Sequence, residues 1–148
     1  MKRLNKSMEG VTLLEIMLVL AIAAMVIVMS IRYYQSASSS QQANSVLQQI
    51  QSITAAADGL AQATGSFGSA SNAGLQPVLP ANSLTTPWGT AITVTSGTST
   101  YAVSIANTPI AVCTLLKSKL AANSKYVGAG TNACSAVAAF TYTYNPGA

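Results

Sequence analysis

The feature that most constrains this chain is an unbroken apolar run near its N-terminus. From Ile16 to Ile31 the sequence carries no charged side chain, and Ser30 is its only polar residue. Counted from Val11, the run is about 21 residues long, enough for an α-helix to cross a bilayer core of about 30 Å. We therefore expect residues 11–31 to form a helix that lies in a membrane or among other apolar helices.

One charge lies inside this run. Glu15 is the only charged residue between Glu9 and Arg32. A carboxylate within a membrane helix costs about 2.5–3.5 kcal/mol on insertion scales, so such a residue normally has a partner. The run itself contains no cation. We therefore expect the partner of Glu15 to come from elsewhere.

The residues around Gly10 resemble the processing region of type IV prepilins. A leader with basic residues ends at Gly10, and Val11, Thr12, two leucines and Glu15 follow it before the apolar helix. The resemblance implies that a membrane prepilin peptidase cuts after Gly10 and methylates the new amino terminus of Val11. It also implies that Glu15 is the carboxylate that directs subunit assembly.

This resemblance covers roughly residues 10–42 and favours one branch of the family. The favoured branch is type IVb, which is permissive at the first residue of the processed chain, here Val11, whereas phenylalanine is usual there in the other branch. Residues 33–38 resemble those of bundle-forming type IVb pilins. The Thr86-Pro87-Trp88-Gly89 segment resembles one in type IVb pilins and also one in major pseudopilins. The family implies a homo-oligomeric helical filament, assembled by inner-membrane pilus machinery after processing by the peptidase.

The charges of the leader predict an orientation in the membrane. Lys2, Arg3 and Lys6 precede the apolar run, and the positive-inside rule keeps them in the cytoplasm. We expect an inner-membrane precursor with its N-terminus inside and its C-terminus outside, and the resemblance implies an extracellular pilus afterwards. The alternative is an ordinary secretory signal cut near Ser38, but the run exceeds the usual 7–15 residues of such signals.

Hydrophobic periodicity extends the helix well beyond the apolar run. Apolar residues recur at the three-or-four spacing of one helical face, at Val46, Leu47, Ile50, Ile53, Ala57 and Leu60. Gly65 is the expected C-cap. We predict a leader at 1–10, a long helix at 11–63 and a globular domain at 64–148. The expected fold class is α+β and pilin-like, with the apolar half of the helix protruding and its amphipathic half packed on a small antiparallel sheet.

Further elements are predicted inside the globular domain. Strands are expected at 91–95 and 101–105, joined by a hairpin over 96–99. Thr108 is the expected N-cap of a second helix that ends near Asn123. Its predicted buried residues are Ile110, Val112, Cys113, Leu115, Leu116 and Leu120. The last strand, 137–144, places Phe140, Tyr142 and Tyr144 on one face.

Cys113 and Cys134 are the only cysteines in the chain. An even cysteine count in an exported domain indicates a disulfide, and the alternative is a pair of buried free thiols. A C-terminal disulfide is also what type IV pilins have.

Several kinds of site are disfavoured by composition. The chain has no histidine and three acidic residues among 148. Zinc sites of the Cys/His type and catalytic pairs that need an imidazole therefore lack their side chains. Paired-carboxylate chemistry is disfavoured because only Glu15, in the apolar run, and Asp58 would remain after cleavage at Gly10. The lysines and arginines do not cluster as a nucleic-acid-binding face would require. We expect no enzyme activity, no metal, no cofactor and no nucleic-acid partner.

These observations predict a structural subunit of a type IV pilus, serving adhesion, aggregation or conjugative mating. One alternative is a pseudopilin of a type II secretion system, a group that usually lacks the disulfide and carries an acidic calcium site. Asp58 is the only acid beyond the apolar run, so calcium ligands are scarce. The other alternative is a monomeric membrane-anchored binding protein, which gives no reason for Glu15.

Overall fold

The computed structural model describes residues 12–148. Within that range the chain forms a long helix, two shorter helices, a small sheet and two 3₁₀ turns. The bounds are α1 Leu13–Thr64, a 3₁₀ turn Phe67–Ser69, α2 Asn72–Leu75, β1 Ile92–Thr95, β2 Tyr101–Thr108, α3 Ile110–Leu120, β3 Tyr126–Val127, a 3₁₀ turn Ala129–Thr131 and β4 Ala138–Tyr144. The α+β class with a long N-terminal helix is confirmed.

The described residues divide into two compact units, 12–37 and 38–148, and α1 contributes to both. In the first unit, every described side chain is exposed. In the second unit, α1 buries one stripe at helical spacing, formed by Ala43, Val46, Ile50, Ile53 and Ala57. The predicted amphipathic stretch is therefore confirmed as the helical face of the globular core.

The C-terminal end of α1 follows from a glycine. Gly65 adopts a left-handed backbone with φ +79°, and its N–H donates to the carbonyl of Ala61 at 2.7 Å. Glycine reaches this conformation without a Cβ clash, which makes it the usual residue just after a helix. The predicted end of α1 near residue 63 is confirmed within one residue.

The four strands form one antiparallel sheet in the order β1-β2-β4-β3. Val103 in the middle of β2 pairs with Val94 on one side and Tyr142 on the other. Strand alternation places Tyr101, Val103, Ile105, Phe140, Tyr142 and Tyr144 in the core. The single aromatic face predicted for the last strand is confirmed.

The start of α3 differs from the prediction. β2 continues past an irregularity to Thr108, which pairs with Ala138. The residue that was expected to cap the helix is therefore part of the sheet. The Thr108 hydroxyl donates to the Ile105 carbonyl at 3.0 Å, and Pro109 occupies the N-cap position without a side-chain hydrogen bond. The prediction of Thr108 as N-cap is therefore wrong.

Two further predictions about α3 were wrong. Ile110 is 45% exposed and does not belong to the buried face. The helix ends at Leu120 and not near Asn123. Asn123 instead accepts a hydrogen bond from the Lys125 N–H at 3.0 Å, in the turn that leads into β3. That two-residue strand pairs with the end of β4 and was not predicted.

The long connection between α1 and β1 packs on the core through a few anchors. Phe67 and Leu75 are buried. The ring of Trp88 is partly buried against the core, and its Nε1 donates to the Ala106 carbonyl at 3.2 Å. The connection thus contacts the sheet at β1 and β2.

The two cysteines form a disulfide, as predicted. Cys113 lies on α3 and Cys134 lies between the second 3₁₀ turn and β4, with their Cα atoms 5.6 Å apart. The bond closes a loop with a sequence separation of 21 residues. It joins α3 to the segment that precedes β4, the strand between β2 and β3.

Removing this bond should destabilise the globular unit without affecting the apolar segment. Closing a loop of about 20 residues contributes roughly 3 kcal/mol in the chain-entropy account. We expect Cys113→Ser/Cys134→Ser in detergent to lose about that much free energy of unfolding, measured by urea titration of near-UV circular dichroism. An unchanged unfolding midpoint would show that the bond contributes little.

Candidate functional site

The first candidate surface is the apolar part of α1. Its large side chains are about half to three-quarters exposed, from 49% at Ile16 to 75% at Leu13. The apolar surface of a soluble monomer rarely forms a contiguous patch of more than a few hundred Å². A segment in which every turn exposes Leu, Ile, Val or Met therefore needs lipid or other protein around it.

Length and composition make α1 able to cross a membrane. It is the one helix with this property in the described part of the chain, and it lies near the N-terminus. The one hydroxyl between Ile16 and Ile31 is satisfied locally, because Ser30 Oγ donates to the Val26 carbonyl at 2.8 Å. That bond lowers the cost of placing the serine in hydrocarbon.

Glu15 lies in the first turn of α1, where the structure shows a feature that the sequence reasoning missed. The Glu15 N–H donates to both the carbonyl and the hydroxyl of Thr12, at 3.0 and 3.3 Å. The Thr12 carbonyl also accepts from the Ile16 N–H at 3.2 Å. Thr12 therefore occupies the N-cap position and Glu15 the third helical position. Thr12-Leu13-Leu14-Glu15 matches the S/T-x-x-E capping-box pattern, which was readable in the sequence.

This position gives Glu15 a local role. A carboxylate in the first turn interacts favourably with the helix dipole, typically by 0.3–1 kcal/mol when exposed. The capping box accepts either Glu or Gln at this position. A requirement for the negative charge can therefore be separated from a requirement for a helix cap by exchanging these two residues.

Arg32, Tyr33 and Tyr34 follow the apolar run, and all three are exposed. Tyr33 and Tyr34 are 79% and 74% exposed. Aromatic and basic side chains at the end of an apolar helix are typical of the membrane–water interface.

The predicted site residues fall in separate parts of the chain. Gly10 and Val11, which carry the processing prediction, lie outside the described residues. Glu15 belongs to the first unit, whereas the disulfide of Cys113 and Cys134 belongs to the second. Among residues 12–148, no group of three or more potential metal ligands comes together.

In the second unit, tyrosines connect α1 to the sheet. The Tyr144 hydroxyl donates to Asp58 Oδ2 at 3.3 Å, and the Tyr101 hydroxyl donates to Thr54 Oγ1 at 3.1 Å. The rings of Tyr101 and Tyr144 stack with centroids 5.1 Å apart. Two strands that are distant from α1 in sequence are thus joined to it by both packing and hydrogen bonds.

Burial raises the pKa of these phenols. Desolvation is the main cause for Tyr101, Tyr142 and Tyr144, because it disfavours the phenolate. The negative charge of Asp58 raises the pKa of Tyr144 further. The neutral phenols are therefore part of the folded core.

No family model, no curated protein and no solved structure matches this chain. The resemblance to type IV pilins therefore stays a prediction from the sequence of residues 10–42.

The tyrosine core predicts a loss of stability at alkaline pH. The folded pKa values exceed the unfolded value of about 10. Their contribution to stability is thus complete below about pH 10 and is lost as the pH rises through the folded values. We expect the urea midpoint of the globular unit to be level from pH 7 to 9 and to fall above pH 10.

Tyr101→Phe isolates this effect because phenylalanine cannot ionise. At pH 7 the variant should lose about 1 kcal/mol with the hydrogen bond to Thr54. Above pH 10 its unfolding free energy should fall less steeply than that of the wild type. Equal slopes in the two proteins would show that Tyr101 does not carry the pH dependence.

Proposed function

We propose that this chain is the structural subunit of a type IV pilus filament. The observation that carries the proposal is the exposed apolar helix with one carboxylate, Glu15, in its first turn. In this account the precursor is held in the inner membrane by α1 and is processed after Gly10. The apolar segments then leave the lipid and pack against one another in the filament core. The filament serves contact between cells, in adhesion, aggregation or mating.

The exposure of the apolar side chains supports this exchange of partners. A segment that is apolar on all sides is equally compatible with lipid and with a bundle of identical helices. Transfer from lipid to bundle therefore costs little hydrophobic free energy. The apolar surface alone provides attraction without a defined register between subunits.

In the proposed assembly, Glu15 supplies the register. After cleavage, the Val11 amine is the cation nearest to Glu15 in the sequence, four residues before it. A subunit displaced along the filament can place its own Val11 amine beside the Glu15 carboxylate of its neighbour. Each buried charge then has a partner, whereas removal of one member of such a pair costs about 3–5 kcal/mol.

The cap at Thr12 supports a specific design for testing this role. Glu15 has two roles in the proposal, a local one in the first turn and an intermolecular one through its charge. Thr12 has only the local role, in which its uncharged hydroxyl accepts a hydrogen bond from the Glu15 N–H. The two residues therefore provide matched variants of one helical turn.

Processing is the first expected outcome. Intact-mass measurement of the exported protein should show loss of residues 1–10 and one added methyl group on Val11. Gly10→Val should leave the precursor uncut, because a branched side chain replaces a hydrogen at the scissile position. A mature terminus near Ser38 would instead identify an ordinary secretory signal.

Assembly should depend on the charge of Glu15 rather than on the helix cap. We expect Glu15→Gln to be exported, processed and folded, yet to form few or no filaments, because glutamine keeps the capping-box pattern and removes the charge of the proposed ion pair. Thr12→Ala should form filaments, with a cost of about 1 kcal/mol at the helix terminus. The measurement is the amount of the chain in the sheared fibre fraction, relative to the total.

Co-expression with the wild type provides the control for folding. Glu15→Gln keeps its own Val11 amine, so it should enter mixed filaments and thereby show that the subunit itself is competent. If Glu15→Gln alone forms filaments at normal yield while Thr12→Ala does not, Glu15 acts through the helix cap and the proposed charge pair is wrong.

A further inference from the structure

The globular unit has one end at which α1 enters it, and contacts between α1 and the rest of the unit show what lies there. Pro87 lines a shallow cleft together with α1 residues in the range 38–45. Next to Pro87, the Trp88 Nε1 donates to the carbonyl of Ala106, near the end of β2. The Ala106 end of β2 therefore lies beside the part of α1 that enters the unit.

The other end of β2 lies further along α1. Tyr101 begins β2, and its hydroxyl donates to Thr54 Oγ1 at 3.1 Å. Thr54 follows Ser38 by 16 residues, which is about 24 Å along a helix. Within the globular unit, β2 thus runs from a level deep along α1 back to the level at which α1 enters.

The neighbours of the end of β2 complete this surface. β2 ends at Thr108, which pairs with Ala138. Ile110, the first residue of α3, and Val137, the residue before β4, therefore lie at the same end, and their side chains are 45% and 61% exposed. Pro87 and Ala106 are also exposed, and Trp88 is partly exposed. We call the surface formed by Pro87, Trp88, Ala106, Ile110 and Val137 the entry end.

The charged residues of the globular unit lie away from the entry end. They are Asp58, Lys117, Lys119 and Lys125. Asp58 accepts a hydrogen bond from the Tyr144 hydroxyl, and Tyr144 pairs with the first residue of β2. The Lys125 carbonyl accepts from the N–H of Asn145, which follows Tyr144. The other two lysines are in the last turn of α3, whereas Ile110 begins that helix. The entry end thus exposes only uncharged side chains, which are far less costly to bring to an apolar surface than ions.

Chain connectivity keeps the entry end near any bilayer that holds the apolar run. Ile31 ends that run and Ser38 begins the globular unit, so the two are seven residues apart. Even a fully extended chain separates their Cα atoms by no more than about 25 Å. Two exposed aliphatic side chains are a small contact for a free protein. A short tether, however, makes that contact intramolecular and raises the effective concentration of its partner.

We propose that the entry end is a lipid-contacting surface, which rests on the headgroup and upper acyl region of the bilayer while the apolar run lies in the membrane. Ile110 and Val137 lie at the acyl boundary in this arrangement, and Trp88 lies at the level where tryptophan is enriched in membrane proteins. The Trp88 N–H is already bonded to Ala106, so the ring brings no unpaired donor into lipid. The proposal rests on the membrane stage of the proposed function and not on filament assembly.

Trp88 also provides the measurement, because it is the only tryptophan of the chain. The full chain is reconstituted in phosphatidylcholine vesicles, and its association is checked by co-flotation. Bromine atoms on the acyl chains quench tryptophan emission only at short range. We expect vesicles brominated near the headgroup to lower the emission of Trp88 relative to unbrominated vesicles. Vesicles brominated near the chain ends should lower it less.

Two exposed valines provide matched variants. Val137 belongs to the entry end, whereas Val127, which is 49% exposed, lies on β3 and pairs with Thr143 near the opposite end of the sheet. A carboxylate is costly in the apolar part of a bilayer. Val137→Asp should therefore lose most of the quenching by shallow bromine, and Val127→Asp should keep it.

A second entry-end variant separates this effect from misfolding. In Ile110→Asp the new carboxylate lies in the first turn of α3, where it interacts favourably with the helix dipole. The variant should lose the quenching as Val137→Asp does, while its near-UV circular dichroism stays that of the wild type.

The remaining outcomes contradict the proposal in distinguishable ways. A chain that floats with the vesicles but is not quenched, or is quenched equally in both entry-end variants, would show that the entry end does not rest on lipid, with the membrane anchor intact. A chain that does not float would contradict the membrane stage of the proposed function as well. Emission that depends on the protein-to-lipid ratio and not on bromine would assign the entry end to contact with a second copy.

Discussion

The globular unit depends on one physical interaction, the burial of a stripe of α1 against the aromatic face of the sheet. Val46, Ile50 and Ile53 have no exposed surface, and they face a core that includes Tyr101 and Phe140. Burying each such aliphatic side chain is worth about 1.5–3 kcal/mol. Because the sheet is small and only one of its faces is apolar, it has no other large surface on which to fold.

The same helix has a different surface in its first unit. In residues 12–37 the large apolar side chains are exposed, and Glu15 and Arg32 are the only charged residues of that range. One continuous secondary-structure element thus serves two kinds of environment. This division is the physical basis of the proposed function, in which one half of α1 holds the domain and the other half changes partner from lipid to identical helices.

The sequence predicted what local periodicity and composition determine. The amphipathic stripe of α1, the aromatic face of β4 and the pairing of Cys113 with Cys134 all follow from residue spacing or count. The end of α1 at Gly65 follows from the conformational freedom of glycine. For the candidate site, Thr12 and Glu15 were both noted in the sequence, but the hydrogen bond from the Glu15 N–H to the Thr12 hydroxyl was not predicted, although the T-x-x-E pattern is local.

What the sequence did not predict depends on contacts between distant residues. Thr108 has the chemistry of an N-cap, yet its backbone is used by the pairing of β2 with β4. β3 has two residues, too few for a periodic pattern. The Asn72 side chain bonds the Ile92 carbonyl 20 residues away, and the Asn132 side chain bonds the Thr141 N–H 9 residues away. A single asparagine gives no sign of such a partner in the sequence.

A structure of the extracellular fibres would test the central claim most directly. Fibres sheared from cells that produce this chain, solved by electron cryomicroscopy, should consist of this chain as the repeating subunit. The account predicts that residues 12–31 pack together at the fibre axis with the globular units outside. It also predicts that the Glu15 carboxylate lies within hydrogen-bonding distance of a neighbouring subunit's Val11 amine. Fibres without this chain, or with Glu15 facing solvent, would contradict the account.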